Sequence, residues 1–237
     1  MISIVIPAYN EEDNIGYCLN AFLNQTAKEQ FEIILVDNAS SDKTSEIAKT
    51  FADKLNVNVL GDPIKGRGHA RYTGFKNASG EIILSSDADT IVPNDWIEKL
   101  SSALYNNPEV VAVTTTCRII DCDEKTNKRF NYFQPLAMKI YRFLFGYYWL
   151  SGFSFGIKKE AYIKSGGFNP NLNAQEDIDL SLKVSKIGKI IFLPDVSVIF
   201  SGRRFKAGLL RGLWSYLNSF LNWYFKKGQN AQLNDLR

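Results

Sequence analysis

Glu81-Ile82-Ile83-Leu84-Ser85-Ser86-Asp87-Ala88-Asp89 is an apolar run that ends in two aspartates one residue apart. Alternate residues of a strand point the same way, so Asp87 and Asp89 offer hard oxygen ligands on one side of the chain. A divalent cation bridging a diphosphate requires such a donor set. A second acidic pair, Glu176-Asp177, follows a Gly166-Gly167-Phe168 turn and precedes Asp179-Leu180. Acids in a first helical turn are favoured by the helix dipole alone. Paired with a metal site, the same carboxylates can instead supply a general base.

Outward from this strand, short apolar runs alternate with amphipathic stretches. Ile2 to Ile6, Phe31 to Val36, Val57 to Leu60 and Glu81 to Ser85 read as strands. Between them, Asp13 to Leu23, Asp42 to Lys54, His69 to Asn77 and Asp95 to Tyr105 carry apolar residues at helical spacing. Val110 to Arg118 and Gly188 to Val198 add further strands. The alternation predicts an α/β fold: a mostly parallel sheet of Rossmann-like type with helices on both faces. Ligands of such sheets sit beyond the carboxyl ends of the strands. The polar motifs fall at those ends.

The 237 residues, 45% hydrophobic and 22% charged, suffice for one large domain with a real core. A net charge of +3 gives no reason to expect a nucleic acid partner. His69 is the single histidine, which excludes a multi-histidine metal site. Cys18, Cys117 and Cys122 form no C-x-x-C pair and suit a reducing, cytoplasmic compartment. Met1 to Pro7 has no basic leader and is expected to start the fold as a strand. No apolar run is long enough to span a bilayer.

Four further motifs bear on chemistry. Pro7-Ala8-Tyr9-Asn10-Glu11-Glu12 follows the first strand, where a base can lie against Tyr9 while Glu11 meets ribose or base donors. Val36-Asp37-Asn38-Ala39-Ser40-Ser41-Asp42-Lys43-Thr44 follows the second. Asp37 can accept from a base N–H, and Asp42 or Ser41 can cap the next helix. Gly66-Arg67-Gly68-His69-Ala70-Arg71 allows backbone approach to an anion, with Arg71 able to neutralise phosphate. In Ser201-Gly202-Arg203-Arg204-Phe205, two arginines can hold a leaving diphosphate or an acceptor phosphate.

Taken in order, the Pro7–Glu12 and Val36–Thr44 segments, Gly68-His69-Ala70-Arg71-Tyr72-Thr73-Gly74, Asp87-Ala88-Asp89, Gly166-Gly167-Phe168 and Glu176-Asp177 resemble glycosyltransferase family 2. The resemblance covers about residues 1 to 200. It implies a GT-A fold, a nucleotide-sugar donor, Mg²⁺ or Mn²⁺, and inverting displacement at the anomeric carbon. By this resemblance Pro7, Tyr9, Glu11, Asp37, Arg71, Asp87, Ala88 and Glu176 fall at donor-binding positions, with Asp87 facing ribose or metal. Asp89 is the metal ligand and Asp177 the catalytic base. Asn38 departs from the pattern, since many members carry a second aspartate there. Arg203 and Arg204 resemble a basic-aromatic element placed near the donor diphosphate. A nucleotide-sugar half is expected to about residue 110, an acceptor half over 111–200, and a basic amphipathic appendage over 201–237.

In that appendage Leu209, Leu213, Trp214, Leu217, Phe220, Leu221 and Tyr224 recur at helical spacing. Arg203, Arg204, Lys206, Arg211, Lys226 and Lys227 bracket them. Such a face reads as an interfacial membrane helix or as a contact in a homodimer. The aromatic stretch Tyr132 to Phe155 is expected to form the lip of the same surface. The combined expectation is an enzyme on the inner face of the cell membrane whose acceptor is a glycan or is linked to a polyprenyl phosphate. Rival readings are a sugar-phosphate nucleotidyltransferase, whose glycine-rich lysine loop Pro7 to Glu12 does not match, and a non-catalytic nucleotide-sugar-binding adaptor.

Overall fold

A computed structural model describes residues 1–225. In chain order the elements are β1 (Ile2–Ala8), α1 (Ile15–Asn20), β2 (Phe31–Asp37), α2 (Thr44–Lys49), β3 (Val57–Gly61), α3 (Arg67–Asn77), β4 (Ile82–Ser86) and α4 (Trp96–Tyr105). Then come β5 (Val110–Arg118), α5 (Glu124–Phe145), β6 (Ser154–Lys158), α6 (Lys159–Lys164), α7 (Glu176–Val184) and β7 (Lys189–Ile199). A 3-10 turn at Arg203–Phe205 leads into α8 (Leu209–Phe225). The strands form one sheet in the order β3-β2-β1-β4-β6-β5-β7. β1 pairs in parallel with β2 and β4, β2 with β3, and β5 with β7. This is the expected mostly parallel sheet.

Covered on both faces, the central strands carry apolar residues on both sides. Ile2, Ile4 and Ile6 of β1 face one buried cluster with Ile15, Ala48, Trp96 and Leu100, which brings α1, α2 and α4 onto that face. Val5 points the other way, into a cluster with Phe75, Phe155, Tyr162, Phe168 and Leu180, under α3, α6 and α7. Gly74 lets α3 lie directly on β1, because a Cβ there would stand 2.3 Å from Val5 Cγ1. That close seating carries Arg71, one turn earlier on α3, to the end of the sheet.

Four elements differ from expectation. Regular helix in α1 and α2 is short, and turns complete the segments on either side. Beyond β5, a 22-residue helix, α5, occupies much of the aromatic stretch. The Asp123 side chain caps it by accepting from the Thr126 N–H at 3.0 Å, and Gly146 closes it in the left-handed conformation at φ 85°. Its exposed faces are aromatic too, so hydrophobicity alone does not mark a buried stripe. Finally β6, at the end of that stretch, enters the sheet antiparallel between β4 and β5.

Candidate active site

The carboxyl ends of β1 and β4 open into a cavity of about 790 Å³. Its walls include Pro7, Ala8, Tyr9, Glu11 and Asn38 at one end, and Arg71, Asp87, Ala88, Asp89, Glu176 and Asp177 in the middle. Arg203 and Arg204 also line it. Of the donor positions expected from sequence, Asp37 is the one absent from the wall. Its Oδ1 accepts from the Ser40 N–H at 3.1 Å and shapes the turn. Three non-glycine residues take left-handed backbone here: Asn10 (φ 50°), Ala39 (φ 63°) and Gln175 (φ 61°). Each sits beside a candidate site residue, and backbone strain of this kind concentrates where function requires an exact side-chain placement.

Arg71 joins the two acidic motifs. Its guanidinium donates to Asp87 Oδ1 at 2.6 Å, to Ser85 Oγ at 2.7 Å and to Glu176 Oε1 at 3.3 Å. The residue is buried, 4% exposed, so these protein groups rather than water satisfy the cation. Gly152 makes room for it, since a Cβ at that position would lie 2.3 Å from Arg71 Nη2.

Asp177 is a strongly perturbed carboxyl. Its Oδ2 accepts from the Gly152 N–H at 3.2 Å and its Oδ1 from the Ile178 N–H at 2.8 Å. Burial pushes its pKa up to about 7, the Glu176 charge adds to the rise, and Arg71 opposes it. A carboxylate poised near neutrality in a cavity suits a general base.

At the end of β4, Asp89 bonds Arg203, whose Nη2 also reaches Glu11 Oε1 at 2.7 Å. Burial raises the Asp89 pKa to about 6; Arg203 opposes the rise, while Asp87 and Glu11 add to it. The turn bearing Arg203 is fixed from below. Phe205 packs on Phe130 of α5 with ring centroids 4.7 Å apart and against Tyr216 of α8. Gly202 N–H donates to Asp121 Oδ1 at 2.7 Å. Arg204 lies 5.7 Å from the Tyr216 ring. Burial pushes the Tyr216 phenol up to about 12, against the pull of Arg204 and Arg67.

Among the described residues, no group of three or more His, Cys, Asp and Glu side chains is placed to cage a metal. Mg²⁺ and Mn²⁺ need no such cage when a nucleotide supplies phosphate oxygens, because one or two carboxylates then suffice. Asp89 with Asp87 fits that donor set.

Several contributors escape sequence reading. Asn38 uses both ends of its amide: Nδ2 donates to Ile64 O at 2.7 Å, and Oδ1 accepts from Gly66 N–H at 2.7 Å. An aspartate in its place has no donor for Ile64. The clamped loop carries Lys65, whose ammonium stands 3.8 Å from the Tyr9 ring centroid and bonds its hydroxyl. His69, which sequence marks only as a neighbour of the glycine loop, bonds buried Asp62 at 2.7 Å. Arg67, within the glycine loop, lines the cavity beside Arg71.

Past Asp177 the cavity turns apolar. Phe133, Ile140, Tyr141 and Phe145 of α5 and Leu209, Leu213, Leu217 and Phe220 of α8 line this part, with the Phe220 ring packed on Tyr141 and Phe145 at centroid distances of 6.5 and 6.0 Å. Gln175 Nε2 donates to Ser219 Oγ at 3.2 Å, tying α8 to the residue before Glu176. The outer sides of both helices are also apolar: Phe143 is 87% exposed, Leu210 82% and Trp214 65%. No helix among the described residues is long and apolar enough to cross a membrane. Lys226 and Lys227 lie outside the described residues.

Comparison with known proteins bears on this arrangement. A family model described as "Glycosyl transferase family 2" matches residues 3–166. The chain is 29% identical over 205 residues to "Probable glycosyltransferase YdaM" of Bacillus subtilis, covering 81% of this chain and 49% of that protein. Over 102 residues it is 40% identical to "Glycosyltransferase AglE" of Haloferax volcanii, covering 41% of this chain and 33% of that protein. It is 34% identical over 110 residues to the dolichol-phosphate mannosyltransferase of Pyrococcus furiosus, with 46% and 31% covered. The chain thus spans a third to a half of the length of these relatives. In fold it is similar to a mannosyltransferase of Pyrobaculum calidifontis solved with GDP-Man and Mn²⁺. That likeness has a TM-score of 0.71 at 24% identity and covers 95% of this chain and 63% of that one.

Proposed function

The chain belongs to glycosyl transferase family 2, and from that premise we propose that it is an inverting transferase. It moves a sugar from a nucleotide-diphosphate sugar to an acceptor linked to a polyprenyl phosphate, at the inner face of the cell membrane. The observation that carries this reading is the single cavity that runs from Pro7, Tyr9 and Asn38, past Asp89 and Asp177, into the apolar slot between α5 and α8. A polar end suits a nucleotide, and an apolar end suits a lipid chain.

The nucleotide lies against Pro7 and Tyr9, with Glu11 as an acceptor for its N–H and O–H groups. Mg²⁺ or Mn²⁺, held by Asp89 with Asp87, supplies charge neutralisation for the diphosphate when bound. Arg203 can exchange its carboxylate partners for phosphate oxygens, and Arg204 adds positive charge beside it. Arg71 acts indirectly, holding Asp87 and Glu176 in register. Asp177, fixed by the Gly152 and Ile178 N–H groups, takes the proton from an acceptor hydroxyl as the anomeric carbon is attacked from the side opposite the diphosphate. A phosphate acceptor arrives ionised, and Asp177 then orients the attack.

Membrane attachment is supported by the exposed apolar sides of α5 and α8, with Lys139, Arg142, Lys206 and Arg211 exposed on or next to the same helices. Such a surface inserts its apolar side while its cations meet anionic headgroups. Relatives act on lipid phosphates by name: the Pyrococcus furiosus protein is a dolichol-phosphate mannosyltransferase. The test is a transfer assay with nucleotide sugars and short-chain polyprenyl phosphate, with Mn²⁺ or EDTA. Proton NMR of early product should show the inverted anomer. Retained configuration, or equal transfer with the cation chelated, overturns the reading.

A further inference from the structure

Ser151 and Ser154 lie in one turn at the start of β6, closed by the Ser154 N–H donating to Ser151 O at 2.8 Å. Their hydroxyls are treated differently. Ser154 Oγ accepts from Trp96 Nε1 at 2.8 Å and bonds Thr115 Oγ1 at 2.6 Å. Ser151 is 2% exposed, and its Oγ has no hydrogen-bond partner among the described residues. Thr90 Oγ1 is the other such hydroxyl, and Thr90 does not line the cavity; Ser151 does.

The backbone around Ser151 is held firmly. Its N–H donates to Thr114 Oγ1 at 3.2 Å. The next residue, Gly152, donates its N–H to Asp177 Oδ2 and accepts from Ser85 Oγ at 3.2 Å. Leaving a buried hydroxyl unpaired destabilises the fold unless a ligand or water completes it. A turn this well braced places that hydroxyl in the wall of the catalytic cavity, one residue from the group that fixes Asp177.

We propose that the Ser151 hydroxyl is a binding group for the transferred sugar, hydrogen-bonded to a ring hydroxyl of the donor. This rests on the glycosyltransferase reading. An anion is disfavoured there, because the Asp177 and Glu176 carboxylates lie next to the same turn. A neutral hydroxyl fits, since it can accept from Ser151 while donating to a carboxylate. With the diphosphate at Asp89 and Arg203, and Asp177 on the opposite side of the anomeric carbon, the sugar ring lies between them, within reach of Ser151.

The test measures UDP, GDP, UDP-glucose, UDP-N-acetylglucosamine and GDP-mannose binding, each with Mn²⁺, to the wild type, Ser151→Ala and Ser154→Ala by thermal shift and calorimetry. Ser151→Ala should melt at or above the wild-type temperature, because it removes an unpaired group. Its affinity for the nucleotide diphosphate should be unchanged, while its affinity for the matching nucleotide sugar falls about 3- to 10-fold, the range of one neutral hydrogen bond. Ser154→Ala should melt lower without that selectivity. Among donors deoxygenated at single positions, one should bind wild type and Ser151→Ala equally and so identify the hydroxyl. Equal donor affinity in both proteins, equal loss for diphosphate and sugar, or a change confined to acceptor KM each overturns the inference. If none of these nucleotides shifts the wild type, the donor reading itself fails, and the inference with it.

Discussion

Asp177→Asn should make this protein more stable and nearly inactive at the same time. Burial raises the Asp177 pKa from 3.8 to about 7. At about 1.4 kcal/mol per pH unit, ionising it in place costs folding about 4 kcal/mol. Asparagine avoids that cost but has one carbonyl for the two N–H groups, of Gly152 and Ile178, that the carboxylate serves. One lost hydrogen bond and a misplaced amide return about 1–2 kcal/mol. The net gain at pH 8 is about 2 kcal/mol, an increase of about 0.7 M in urea midpoint for a domain of this size.

The sign follows from proton uptake. Between pH 4 and 7 the native carboxyl holds a proton that the unfolded chain has released, so wild-type stability falls as pH rises through that window. Above pH 7 both states are ionised, and the difference between wild type and variant is constant. Below pH 4 the carboxylic acid pays no ionisation cost and the advantage of asparagine disappears. Urea titrations of both proteins at pH 4 to 8 measure this, and transfer to a hydroxyl acceptor should drop about 10²–10⁴-fold. A stability difference that does not vary with pH, or an asparagine variant less stable at pH 8, refutes the account of a desolvated base.

Other perturbations test the remaining parts. Arg71→Met leaves Glu176 buried beside an unpaired Asp87, which should cost about 3–5 kcal/mol and move the acid limb of the kcat/KM profile to higher pH, because Arg71 lowers the Asp177 pKa; an unchanged melting temperature and limb would show the clamp to be dispensable. Asp89→Asn should abolish Mn²⁺-dependent nucleotide binding in calorimetry while the fold survives, and retained dependence would remove the metal assignment. Replacing Leu210 and Trp214 together by serine should release the protein from anionic liposomes and leave nucleotide binding intact. If the parent protein ignores liposomes of every composition but sediments as a dimer that this variant splits, α8 is a subunit contact.

The parallel strands and the acidic motifs at their ends were legible in the chain. Ile2 to Ile6 and Glu81 to Ser85 read as strands because each is a short, continuous apolar run. Asp87, Asp89 and Asp177 stand out because strand and helix ends are local features. Other features depend on groups far apart in the chain: Arg71 reaches Glu176 across 105 residues, and Arg203 reaches Glu11 across 192. The same holds for Asn38 clamping the 64–66 loop, for the unpaired Ser151 hydroxyl, and for the slot between α5 and α8. Burial explains this division. It shifts the Asp177 pKa, commits Arg71 to protein partners and closes the apolar slot, and each follows from how the elements pack rather than from the order of residues within any one of them.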